Sequence, residues 1–96
     1  MQPSAILIDR KDNVATALRQ LQQGNSVQVG IEDYSVTTPL LQDIPFGHKY
    51  ALKDIRKGET VIKYGEVIGL ATEDIQQGQH VHVHNIESQK GRGDKK

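Results

Sequence analysis

Four histidines hold most of the chemistry this chain could do. Three lie in His80-Val81-His82-Val83-His84-Asn85, and the fourth, His48, follows Pro45-Phe46-Gly47. Extended backbone alternates faces. The pattern therefore predicts a strand with His80, His82 and His84 on one side and Val81 and Val83 on the other. Neighbouring imidazoles on such a face stand about 6–7 Å apart at the backbone. Two can converge on one divalent ion, leaving positions for carboxylate, water or substrate. Imidazole also exchanges a proton near neutral pH. A half-buried strand with its polar side outward has the same pattern, and no Cys or His-Glu-x-x-His motif singles out zinc.

Lys49, Lys53 and Lys63 could supply positive charge to an anionic substrate, though lysines are more often solvated surface. Glu59 and Glu66 could form a carboxylate pair, but their spacing does not bring them together. The sequence has no Gly-rich phosphate loop and no Gly-x-Ser-x-Gly motif.

The elements that must position these residues come from an internal repeat. Residues 14–29, 48–63 and 68–83 align without gaps. Ala17, Ala51 and Ala71 share one column, Leu21, Ile55 and Ile75 the next. Gly24, Gly58 and Gly78 are identical, and Val27, Val61 and Val81 follow them by three. The offsets differ, so this is one supersecondary unit used three times and not an even solenoid. The alternation after each Gly predicts a strand, as in Ser26-Val27-Gln28-Val29. The segment before each Gly suits one helical or 3₁₀ turn stopped by a residue with positive φ. The first copy has a rival: Val14, Ala17, Leu18 and Leu21 have helical spacing after Asp12 or Asn13 as a cap. Agreement with the other copies favours the strand. Further strands fit residues 5–8 and 36–38, Gly30 is placed to open a hairpin, and Ile44-Pro45-Phe46-Gly47 reads as a turn. The fold class expected is mainly β, with short strands and one or two short helical turns.

The chain has 96 residues, enough for one small domain. Lys+Arg and Asp+Glu both number 12, so the basic footprint of a general nucleic-acid binder is missing. Cys is absent, which removes disulfides, thiolate zinc and a cysteine nucleophile. No apolar run nears the roughly 20 residues needed to span a bilayer, and the opening Met1-Gln2-Pro3-Ser4 lacks a secretory pattern. A cytoplasmic protein, away from membranes, is expected. Residues 87–96 read as a polar flexible tail or linker start after a domain over 1–86. The Arg92-Gly93-Asp94 triplet there is too short to carry an adhesion reading. So small a β domain has exposed edges, which invite self-association.

Three blocks together carry a family resemblance: residues 44–52 with Gly47-His48-Lys49, residues 61–69 with Lys63-Tyr64-Gly65, and residues 78–85 with the histidine alternation and Asn85. They resemble the SAF domain of the altronate/galactarate dehydratase family, which is also similar to the small subunit of sulfolactate sulfo-lyase. The likeness covers about residues 5–86. It implies a SAF-type β-clip fold and a lyase component acting on hydroxy acids, inactive without a large catalytic subunit or domain. It implies catalytic roles for His48, His82 and His84, and substrate binding by Lys49, Lys63, Tyr64 and Asn85. A metal, Fe²⁺ or another divalent ion, would fall to His80, His82 and His84. The galactarate branch resembles the first two blocks but not the histidine alternation. The alternatives are a sulfolactate-type small subunit and a non-catalytic SAF module binding a ligand or partner. Metal storage or sensing by the histidines alone would be a third.

Overall fold

A computed structural model describes residues 3–88. The chain is mainly β. Its strands are β1 (Ala5–Ile6), β2 (Val14–Ala17), β3 (Ser26–Ile31), β4 (Tyr34–Pro39), β5 (Lys49–Ala51), β6 (Thr60–Lys63), β7 (Glu66–Ala71), β8 (His80–Val81) and β9 (Ile86–Ser88). They form three small antiparallel sheets ordered β1-β2-β5-β8, β3-β4 and β6-β7-β9. The first copy of the repeat is a strand at β2, not a helix.

The expected helical turns are absent among the described residues. Each is a β-turn closed by one bond across four residues, Asn25 N–H to Gln22 O, Glu59 to Arg56 and Gln79 to Gln76, and the expected turn at Pro45 is closed in the same way by His48 N–H to Pro45 O, all at 2.9–3.0 Å. Gly24, Gly47, Gly58 and Gly78 occupy the third position with φ between 84° and 92°, the signature of a type II turn. One such turn needs only four residues, so the backbone leaves it directly into a strand.

The turn at Pro45 reveals a fourth copy of the unit, Leu40…Ile44…Gly47…Tyr50, at the spacing of the other three. The copies associate in pairs. Leu21 and Ile44 exchange both backbone bonds, as do Ile55 and Ile75, at 2.7–2.9 Å. Each turn glycine donates to the carbonyl that starts its partner's unit: Gly24 to Leu40, Gly47 to Ala17, Gly58 to Ala71 and Gly78 to Ala51. Asp43, Asp54 and Asp74 cap backbone N–H groups of Gln23, Gln77 and Lys57 across the same pairs.

Two cores follow from this pairing. One gathers Leu7, Ala15, Leu21, Val27, Val29, Leu40 and Ile44 around Tyr50. The other holds Val14, Ile55, Val61, Ala71, Ile75 and Val81. Burial pushes the Tyr50 phenol up. Asn13 joins β2 to the far hairpin. Its amide donates to Thr60 O at 2.9 Å and accepts from Ile62 N–H at 2.7 Å, filling the register shift between Val61 and Ile62. Asp12 accepts from Gly65 N–H at 2.8 Å.

Gly30 does not open the β3–β4 hairpin. It sits inside β3 opposite Ser35, where a Cβ would meet Tyr34 O at 2.9 Å. The turn is Glu32-Asp33, with Glu32 at φ 57°. The domain also runs past residue 86, because Glu87 and Ser88 pair with Leu70 and Gly69 in β9–β7. The rest of the expected tail, with Arg92-Gly93-Asp94, lies outside the described residues. No helix among the described residues is long and apolar enough to cross a membrane.

Candidate functional site

Three of the four turns close on themselves through the residue after glycine. Asn25, Glu59 and Gln79 accept from the N–H of Gln22, Arg56 and Gln76, three residues back. His48 holds that place in the fourth turn, but the residue three back is Pro45, which has no N–H. With no local donor to accept from, the His48 ring is left to its neighbours. Its Nδ1 lies 2.8 Å from His80 Nε2, so one nitrogen donates and the other accepts. Its ring stacks on His82 with centroids 3.8 Å apart and planes within 9°.

The predicted strand through His84 is not formed. β8 ends at Val81, and residues 82–85 turn back into β9. Asn85 is the cause. It is fully buried, accepts from His82 N–H at 2.9 Å and donates to His80 O at 2.9 Å. Its own N–H donates to His82 O at 3.0 Å. The two valines separate accordingly: Val81 is 0% exposed and Val83 is 79% exposed. Both ends of the Asn85 amide are thus held by backbone. These bonds make Asn85 the residue that shapes the histidine turn. On the other side, Gln42 accepts from His80 N–H at 2.9 Å.

His84 is exposed, its ring tilted 34° to that of His80 with centroids 5.1 Å apart. The histidines that draw together are His48, His80 and His82, with one nitrogen from each all within 4.8 Å of one another. The group that converges thus contains His48 and not His84, because the chain turns after Val81 and His80, His82 and His84 do not share one strand face.

Lys49 stands beside this cluster, and Lys63 stands near Lys49. Lys49, partly buried in β5, is pushed below the usual lysine range, chiefly by burial and then by the charge of Lys63. Lys63 is brought close by the Asn13 and Asp12 bonds to its hairpin. Among the described residues neither lysine is paired with a carboxylate. Tyr64 follows at φ 56° and Gly65 at φ 79°, the two-residue hairpin turn that requires both values positive. The Lys63 ammonium lies 4.7 Å from the Tyr64 ring centroid. Lys53 is exposed. Glu59 and Glu66 sit at opposite ends of the β6–β7 hairpin, so no carboxylate pair forms.

Burial pushes His80 down to about 4, reinforced by the charges of His84, His48, His82 and Lys49. His82 is lowered by desolvation, then by His48, Lys49 and His84. At neutral pH these rings carry lone pairs, so they can accept a proton or ligate a metal. Lys49 beside them, with Lys63 near it and neither paired with a carboxylate among the described residues, favours an anion.

Residues 3–89 match the model of the altronate/galactarate dehydratase SAF domain. Altronate dehydratase of Bacillus subtilis is 41% identical over 85 residues, covering 88% of this chain and 16% of that protein. Altronate dehydratase of Escherichia coli is 51% identical over 80 residues, covering 83% and 15%. The alpha subunit of (2R)-sulfolactate sulfo-lyase from Chromohalobacter salexigens is 42% identical over 59 residues, covering 62% of this chain and 63% of that subunit. The chain therefore spans only a small part of either altronate dehydratase.

Proposed function

This chain belongs to the altronate/galactarate dehydratase SAF domain family, and on that footing we propose that it is the small component of a hydroxy-acid lyase. Its histidine–lysine face would complete the substrate site of a separate large catalytic part. The observation carrying this reading is the convergence of His48, His80 and His82 beside Lys49, itself near Lys63, neither lysine having a carboxylate partner among the described residues. The domain's small share of each altronate dehydratase, and its likeness to a separate subunit of sulfolactate sulfo-lyase, support a large partner.

The chemistry is elimination of water from a 2,3-dihydroxy acid. The C2–H proton goes to a base, the C3–O bond breaks, and the hydroxyl leaves as water after taking a proton. The enol product then tautomerises to a 2-keto-3-deoxy acid. Such a reaction needs cations at the carboxylate and a group able to carry protons. In this reading Lys49 and Lys63 hold the carboxylate, with Tyr64 against Lys63. His48, His82 and His84 are the candidates to move the protons. Fe²⁺ or another divalent ion in the assembled enzyme would add stabilisation of the developing enolate.

The substrate favoured is altronate. Sulfolactate is the second reading, resting on the likeness to the alpha subunit. Capture of the tagged chain from its source extract, followed by assays on altronate and sulfolactate with Fe²⁺, tests both. Recovery of a large protein with loss of water from altronate is the expected outcome. Release of sulfite from sulfolactate would move the substrate. A chain that recovers no partner would be a ligand-binding module, and the lyase reading would fall.

A further inference from the structure

We propose that His48, His80 and His82 form a three-histidine site for one divalent transition metal within this chain. The inference stands on the geometry of the three rings and does not depend on the lyase reading. Its failure and that of the lyase reading are therefore separable.

The ligands come from two elements 32 residues or more apart in sequence, the turn after Gly47 and the end of β8 with its following turn. Both elements are fixed by backbone bonds. His48 N–H donates to Pro45 O, and its carbonyl accepts from Ala17 N–H. His80 and His82 are held between Gln42 and Asn85. One nitrogen from each of the three rings thus lies within 4.8 Å of the others before any ion arrives.

The change required is small and local. His48 Nδ1 and His80 Nε2 share a proton at 2.8 Å. Two nitrogens on one tetrahedral ion, at bonds of about 2.0–2.1 Å, stand about 3.3 Å apart. The ion would therefore take the place of that proton, with the pair opening by about half an ångström. His82 must also turn. Its plane lies parallel to that of His48 at 3.8 Å, and an imidazole ligates in its own plane. Rotation of this one partly exposed ring brings its lone pair to the pair. Three imidazoles suit Zn²⁺, Co²⁺ or Fe²⁺ and leave at least one position for water or an oxygen ligand. His84 lies outside the group.

Titration of the 96-residue chain with Co²⁺, followed by visible absorption, tests the site. One Co²⁺ per chain is expected to bind saturably. His48→Ala, His80→Ala and His82→Ala should each weaken binding at least about tenfold, and His84→Ala less than about threefold. The control that needs no variant is imidazole NMR of the wild-type chain with Zn²⁺. Resonances of His48, His80 and His82 should move together, and those of His84 much less. Absence of saturable binding would overturn the proposal. So would loss of binding in His84→Ala with none in His48→Ala, which would mark a set built from residues 80–84 alone.

Discussion

Asn85→Ala isolates the role of one buried amide. In the folded chain its oxygen takes the His82 N–H and its NH₂ gives to the His80 carbonyl, both at 2.9 Å, with the side chain fully buried. Each bond contributes about 1 kcal/mol net, and alanine leaves both backbone groups without their partner. The expected loss is about 2–3 kcal/mol. For a domain of this size that lowers Tm by roughly 8–24 °C. Urea unfolding gives the free energy, and imidazole NMR shows whether the His48–His82 stack dissolves with the turn. Asn85→Asp keeps the acceptor but sets an oxygen against the His80 carbonyl and buries a charge, so at neutral pH it should destabilise at least as much. A loss below about 0.5 kcal/mol with the histidine resonances unmoved would refute this role. A raised KM in the assembled enzyme without lost stability would instead return Asn85 to the substrate.

Other outcomes follow from the same contacts. His80 sits near 4 when folded and near its ordinary 6.5 when unfolded, so the unfolded chain binds the extra proton between those values. Stability is complete above about pH 6.5 and falls as pH drops toward 4, by about 1–2 kcal/mol after solvent screening. Urea midpoints across that range should show the fall, and His80→Gln should flatten it. Gly78→Ala drives a Cβ into the Pro39 carbonyl, whereas Gly58→Ala meets open space at a similar φ of 90°. The second should cost about 1 kcal/mol and the first at least about twice that, read by thermal unfolding. Lys49→Gln should raise KM for the hydroxy acid about tenfold in the assembled enzyme while leaving Tm within a few degrees, because a partly buried lysine with no carboxylate partner does little for the fold.

The repeat was legible because Gly24, Gly58 and Gly78 are needed where φ is positive, and the apolar residue three later is needed in a core. The fourth copy hid behind its substitutions. Leu40 replaces the small residue, and Tyr50 replaces valine. That same copy held the most useful signal for the site. The residue after its glycine is a histidine, and the residue three before that histidine is a proline without an N–H. In the other copies Asn25, Glu59 and Gln79 are used up in their own turns. Alternation misled at residues 80–84. A period of two describes a strand only while the backbone stays extended, and Asn85 is placed to end it after Val81. The approach of Lys63 to Lys49 depends on Asn13 reaching Thr60 and Ile62 in β6, a long-range bond that local pattern does not encode.

The histidine face as part of a lyase site is tested most directly by kinetics of the assembled enzyme carrying His82→Ala or His84→Ala. Both side chains reach the surface at a turn whose hold is Asn85, so neither substitution should move Tm by more than a few degrees. Loss of a proton-carrying group should lower kcat/KM for altronate at least about 100-fold, or about 2.7 kcal/mol in the transition state. Turnover within twofold of wild type for both variants, with the complex intact, would contradict a role for this face in the reaction.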